Sequence, residues 1–220
     1  MKGLLRKDFA YLFQNKIIFA FLLVFGIVYS IFYKNIYFIL GYYSVFAGIL
    51  TLSTLNYDDF NHGLAFILTL PTTRRQYVKE KYCLGFLLSL ILCLIATALA
   101  IISQYQTMQS FAFIDIEWLS GCLLTLLFSL FLISLLIPAQ VKLNSEKSQY
   151  AMFIVFGTLT IIILIFYYLL KLLHIDIDPV ITSMMTMNPY PLIAGLCLLV
   201  LISLWISLKI STHFIENKEF

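Results

Sequence analysis

Six stretches of this chain run for roughly the thickness of a bilayer without one ionisable side chain, and no other feature constrains the fold as much. They are residues 17–33, 36–55, 82–103, 118–139, 150–170 and 189–208, and none contains Asp, Glu, Lys, Arg or His. A spanning helix needs about 20 mostly apolar residues, because lipid offers the backbone no partner outside its own helix. Of the 220 residues 62% are hydrophobic and 11% charged, against roughly 45–50% and about 25% in soluble domains. So few polar groups cannot cover a water-soluble fold. The expected class is therefore all-α: a polytopic membrane protein of six transmembrane helices, with residues 1–220 forming a single transmembrane domain.

Positive charge orients the spans. With the N-terminus inside, one side holds Lys2, Arg6, Lys7, Lys16, Arg74, Arg75, Lys79, Lys81, Lys142, Lys147, Lys209 and Lys218, while the other keeps Lys34 and Lys171. Both termini are thus expected in the cytoplasm. Residues 1–16 interleave charge with apolar side chains and lack a short apolar region followed by a small-residue cleavage site, so no cleavable signal is expected.

The charge-free spans also narrow the chemistry. An ionisable residue at mid-membrane costs about 2.5–3.5 kcal/mol on insertion scales and marks a proton relay, an ion path or a catalytic site. Without one, a proton-driven antiporter and an intramembrane metalloprotease are disfavoured. His62, His174 and His213 lie outside the spans and far apart, and read as interfacial polar residues. The cysteines Cys83, Cys93, Cys122 and Cys197 show no metal-ligand spacing and read as small apolar residues inside helices. No metal site, catalytic residue or nucleic-acid-binding groove is expected. A phosphate-binding loop of the form G-x-x-x-x-G-K-[ST] is absent as well, so energy from ATP would have to come from another chain.

Three segments on the positive side carry pattern. At the N-terminus, Leu5, Phe9, Leu12 and Phe13 recur at helical spacing with Arg6, Lys7 and Gln14 elsewhere, predicting a short amphipathic interfacial helix leading into the first span. Between spans two and three, Asn56–Lys81 forms the longest loop on this side. Its apolar run Leu64–Leu70 is too short to cross. Pro71 then interrupts it, and Thr72 or Thr73 can cap the next helix. The result is two short helices angled as an elbow, suited to receiving a mechanical push. In the third segment Pro138 is expected to end or kink the fourth helix and Ser145 to cap the fifth, while Lys142 and Lys147 need no role beyond setting topology. Gly41 and Gly48, seven apart on one face, offer a weak signal of a dimer seam.

At these loops the chain resembles the permease subunits of ABC-2 type exporters, in particular the small six-span kind from Gram-positive bacteria. The Leu70–Val78 element (Leu-Pro-Thr-Thr-Arg-Arg-Gln-Tyr-Val) ahead of Lys81-Tyr82 carries most of the resemblance, with the interfacial N-terminus and the Pro138–Lys147 loop beside it. It implies a multi-pass permease of the bacterial plasma membrane that pairs with a second permease, as a homodimer or a paralogous heterodimer. Two copies of a cytoplasmic ABC ATPase, binding ATP and Mg, would supply the power, and this chain would hold no cofactor. The loop after the second span would be the coupling helix, at Asp58, Asp59, Phe60, His62, Phe66, Leu70 and Pro71, with Arg74, Arg75 and Glu80 on the helix that follows.

Related small permeases export amphipathic peptides or confer resistance to peptide antibiotics. A Phe- and Leu-rich interior accepts an amphipathic peptide or a hydrophobic compound without stranding an ion, although composition does not name the residues that would bind it. The alternative is a non-transporting membrane immunity or sensor protein that binds a peptide or a signalling partner. That reading explains the missing ionisable residues equally well and the elbow less well.

Overall fold

The computed structural model describes residues 2–32, 36–59, 63–69, 72–108, 116–143, 149–172 and 189–217. Lys34, His174, Ser145 and Lys147 fall outside them. Eight helices occupy the described residues: α1 (Lys2–Gln14), α2 (Lys16–Phe32), α3 (Ile36–Asp59), α4 (Gly63–Thr69), α5 (Arg74–Met108), α6 (Ile116–Lys142), α7 (Gln149–Leu172) and α8 (Pro189–Glu216). The chain is all-α, with α2, α3, α5, α6, α7 and α8 covering the six apolar stretches.

Five of these helices, α3 and α5 to α8, are long and apolar enough to cross a bilayer outright. The first expected span is the exception. α2 has 17 residues, at the lower limit for a crossing, and it meets α1 at an angle of 67°. Asn15 makes the corner, accepting at its backbone carbonyl from Ile18 N at 3.0 Å while its own N–H donates to Leu12 O at 3.1 Å. α5, by contrast, has 35 residues and extends about 50 Å, well beyond the hydrocarbon layer. Its first two turns, Arg74–Lys81, precede the apolar stretch that starts at Tyr82.

α3 packs against α5 and α6, and α6 runs along α8. The half of the core beside α1 and α2 joins Leu12, Leu22, Ile39, Tyr43, Leu84, Leu88 and Leu92. The other half joins Leu55, Tyr77, Leu136, Ile137 and Ile215, with Leu64 and Ile67 of α4. Small side chains let these helices approach: Ala47, Ala96 and Ala100 are fully buried. Gly48 meets Leu136 of α6 within the same chain, whereas Gly41 has nothing within 4 Å of where a Cβ would stand.

α8 contributes a hydroxyl stripe, Ser203, Ser207 and Ser211, at helical spacing. Tyr82 of α5 shares hydrogen bonds with Ser207 Oγ at 2.5 Å and Ser211 Oγ at 3.0 Å. Ser134 Oγ donates to Ser203 Oγ at 3.3 Å. Pro138 sits inside α6 without ending it, and the helix continues to Lys142. α7 joins the core through Val155, Phe156 and Leu159, whereas every residue from Ile161 to Leu169 is exposed.

Candidate functional site: a buried ion network behind an exposed elbow

The N-terminal helix buries a stripe at four-residue spacing, Leu4, Asp8 and Leu12, the geometry of one helical face. Leu5 and Phe9 are only half-buried and Phe13 is exposed, so the covered face is rotated from the one the apolar pattern predicts. It carries a carboxylate inward. Thr54 and Asp58 on α3, and Tyr77 and Lys81 on α5, also lie one turn apart and are buried. These three faces meet.

Lys81 Nζ sits at the centre. It bonds to Asp8 Oδ2, lies 2.6 Å from Asp58 Oδ2 and donates to Thr54 Oγ1 at 3.5 Å. The Tyr77 ring stands 5.3 Å away, and the Tyr77 hydroxyl donates to Asp58 Oδ2 at 3.1 Å. Lys7 closes the circuit from the rim, bonding to Asp58 Oδ1 and lying 3.1 Å from Asp8 Oδ1. Burial alone would lower the Lys81 pKa, but Asp58, Asp8 and Glu80 hold it above the usual lysine range. A buried ammonium is tolerated only with such partners. Nearby, Gln140 of α6 bonds through Nε2 to Asn56 Oδ1 of α3, tying a further helix to the same end.

The elbow lies outside this network. Thr73 caps α5: its hydroxyl accepts from Gln76 N at 3.2 Å, and Gln76 Oε1 accepts from Thr73 N at 3.3 Å. This reciprocal pair is a capping box. Thr72 Oγ1 turns back to donate to Ile67 O at 3.0 Å, fastening α4 to the start of α5. α4 is amphipathic, with Leu64 and Ile67 inward and Phe66 and Thr69 exposed. Its first residue, Gly63, stands so close to Asp58 that a Cβ would lie 2.9 Å from the Asp58 carbonyl oxygen.

The expected coupling residues thus divide. Asp58 and Glu80 are buried, and Asp59 is half-buried beside a small cavity lined by Leu55, Leu64, Tyr77, Gln140, Val141 and Ile215. Phe66 and Arg75 face outward. Arg74 and Arg75 grip the end of α8. Arg74 Nη1 donates to the carbonyls of Ile215 at 2.9 Å and Glu216 at 2.5 Å, and Arg75 Nε donates to Glu216 Oε1 at 2.7 Å. A guanidinium on the last carbonyls of a helix satisfies orphan acceptors and opposes the negative end of its dipole. Phe60, His62, Leu70 and Pro71 lie outside the described residues.

Asp8, Thr54 and Glu216 were not singled out by the sequence. Tyr77 and Lys81 entered only within the Leu70–Tyr82 pattern and the positive-charge bias, and Lys7 only on the polar side of the N-terminal helix and in that bias. One signal was available. Asp8 is the only acidic residue before Asp58, and it interrupts the apolar face Leu4–Leu12.

No curated protein matches the chain. The family model described as an ABC-2 family transporter protein matches residues 3–216, nearly the full length and every helix described above. The chain belongs to the ABC-2 transporter family and is a multi-pass membrane permease component of an ABC transporter.

Proposed function

We propose that this permease is the membrane half of an ATP-driven exporter in the bacterial plasma membrane, with the α4–α5 elbow as the surface that receives a cytoplasmic ATPase. One observation carries the reading: the elbow presents exposed Phe66 and Arg75, while firm attachments flank it on both sides. Behind α4, Asp58 is held by Lys7 and Lys81. At the start of α5, Arg74 and Arg75 hold the end of α8. A push on the elbow therefore moves α3, α5 and α8 together with α1.

Lys7, Arg74, Arg75, Lys81 and Lys142 gather at this end of the bundle, Lys142 standing 5.7 Å from the Phe214 ring. Their clustering supports a cytoplasmic placement of this end and of both termini. The ATPase, in two copies, would bind ATP and Mg and perform the hydrolysis. A second permease, identical or paralogous, would complete the path, and the exposed stretch Ile161–Leu169 of α7 leaves apolar surface for it.

An apolar interior favours an amphipathic peptide or a hydrophobic compound as cargo. A groove of about 380 Å³ between α6 and α8, lined by Leu124, Leu127, Phe128, Phe131, Leu196 and Leu199 among others, is compatible with either.

The test is co-expression with the ABC ATPase encoded nearest to the permease gene. Phe66→Asp should abolish co-purification and permease-dependent stimulation of ATP hydrolysis while membrane insertion is unchanged. Wild-type capture and stimulation by the Phe66→Asp variant would reject the elbow as the docking surface. Mass analysis of small molecules retained by the intact complex then addresses the cargo.

A further inference from the structure

With every member ionised, the ion network does not balance. Around Lys81 the described residues place three carboxylates, Asp8, Asp58 and Glu80, against two ammonium groups, Lys7 and Lys81. Asp59, half-buried on α3, acts on Tyr77 and has interactions of its own. Asp8 and Asp58 are each reached by both lysines, and Asp58 also accepts from Tyr77. Glu80 is fully buried, yet its nearest cation is Lys81 at 3.9 Å, beyond hydrogen-bonding distance. As an ionised group, neither of its oxygens meets a donor among the described residues.

Asp8 and Glu80 flank the same ammonium, Asp8 Oδ2 bonded to Lys81 Nζ and Glu80 Oε2 3.9 Å from it. Two carboxyl groups can share a hydrogen bond only if one of them carries a proton. Asp8 already accepts from lysines, so the proton belongs on Glu80.

We propose that Glu80 is a proton-binding site that locks the N-terminal helix α1 onto α3 and α5. With its proton, the neutral acid donates to Asp8, and two negative groups face two positive ones. Without it, a third carboxylate is stranded beside Asp8, and the repulsion falls on the helix that delivers Asp8 and Lys7. The proton leaves to solvent hydroxide or buffer, and no other bond changes.

Burial, and then the charge of Asp8, push Glu80 up to about 8, with Lys81 and Lys7 working against them. Glu80 precedes the apolar stretch of α5, so the site sits at the membrane edge, where solvent protons arrive. The lock does not depend on the coupling reading and is tested without an ATPase.

The permease in lipid nanodiscs would be titrated from about pH 6 to about pH 10, a range that lies above ordinary carboxylates and below ordinary lysines. Infrared difference spectra should show a protonated-carboxyl band at neutral pH that is lost with a midpoint near 8, and that is missing in Glu80→Gln. In Asp8→Asn the midpoint should move down by about one pH unit, because a like charge has been removed. Hydrogen exchange of residues 2–14, corrected for intrinsic rates, should accelerate across the same range in the wild type and stay level in Glu80→Gln. The proposal is overturned if the wild type shows no protonated carboxyl at neutral pH, if the band persists in Glu80→Gln, or if α1 opens with the same pH course in that variant. Should Glu80→Gln fail to fold, the wild-type band and its midpoint decide alone.

Discussion

Ser207 Oγ donates a hydrogen bond to the backbone carbonyl of Ser134, the group that Pro138, four residues on, deprives of its intrahelical donor. A side chain of α8 thus repairs the ladder of α6, and the helix continues through the proline instead of ending there. Of the two outcomes expected at Pro138, an end or a kink, the repair explains why the helix does not end there. Ser207→Ala should destabilise the protein by roughly 1 kcal/mol, toward the upper end for transmembrane hydrogen bonds, read as a lower thermal midpoint in detergent. Pro138→Ala restores the missing N–H, so in that background the same serine substitution should cost much less. Additive effects in this double-mutant cycle would show that the two residues are not coupled.

The network around Lys81 predicts a different kind of asymmetry. Lys81→Met leaves Asp8 and Asp58 buried with only Lys7 between them, and removing one partner of a buried ion pair typically costs about 3–5 kcal/mol. Adding Asp8→Asn and Asp58→Asn removes the stranded charges, so the triple variant should recover much of that loss. Denaturant unfolding of the wild type and these two variants in one detergent tests this. A triple variant less stable than Lys81→Met would mean that the lysine's packing, and not its charge, matters.

Helices were more legible in the sequence than their contacts. Each of the six apolar stretches lies on a helix because span length and the backbone's need for partners are local requirements. A cap at Thr72 or Thr73 was readable too, and the structure places it at Thr73, with Gln76 three residues on completing the box. The pairing of Asp8 with Lys81 crosses 73 positions, and nothing near either residue announces the other. Lys81 at a span end already had a sufficient explanation in topology, which concealed its burial. Asp58 and Glu80 were picked out as parts of a force-receiving elbow, but loop position does not reveal that both point inward. The same limit hid the grip of Arg74 on the end of α8, where the acceptors are backbone carbonyls that carry no residue signature.

Stability should fall as pH rises, with a defined window. The folded-state pKa of Glu80 is about 8, raised mainly by burial from an ordinary value of 4.5. The folded protein therefore binds more protons than the unfolded chain between these two values. The contribution is fully present below about 4.5, declines toward 8 and is flat above it. Thermal midpoints measured across this window should slope downward in the wild type, and Glu80→Gln should remove that component of the slope. An unchanged slope in the variant would assign the pH dependence to other groups.

Gly26 and Tyr43 give the most local prediction. The Tyr43 hydroxyl donates to Leu22 O at 3.2 Å, and its ring lies where a Cβ on Gly26 would come within 3.0 Å of Cε2 and Cζ, with the hydroxyl closer still. Gly26→Ala forces the ring away or the helices apart, an overpacking cost of about 1–3 kcal/mol. Tyr43→Phe deletes the atom in closest conflict, while Leu22 keeps its helical N–H partner and loses little. The double variant should therefore be more stable than Gly26→Ala alone, although each single change is unfavourable. Thermal unfolding of the single and double variants measures the coupling, and a double variant weaker than Gly26→Ala would place the conflict elsewhere on the α2–α3 contact.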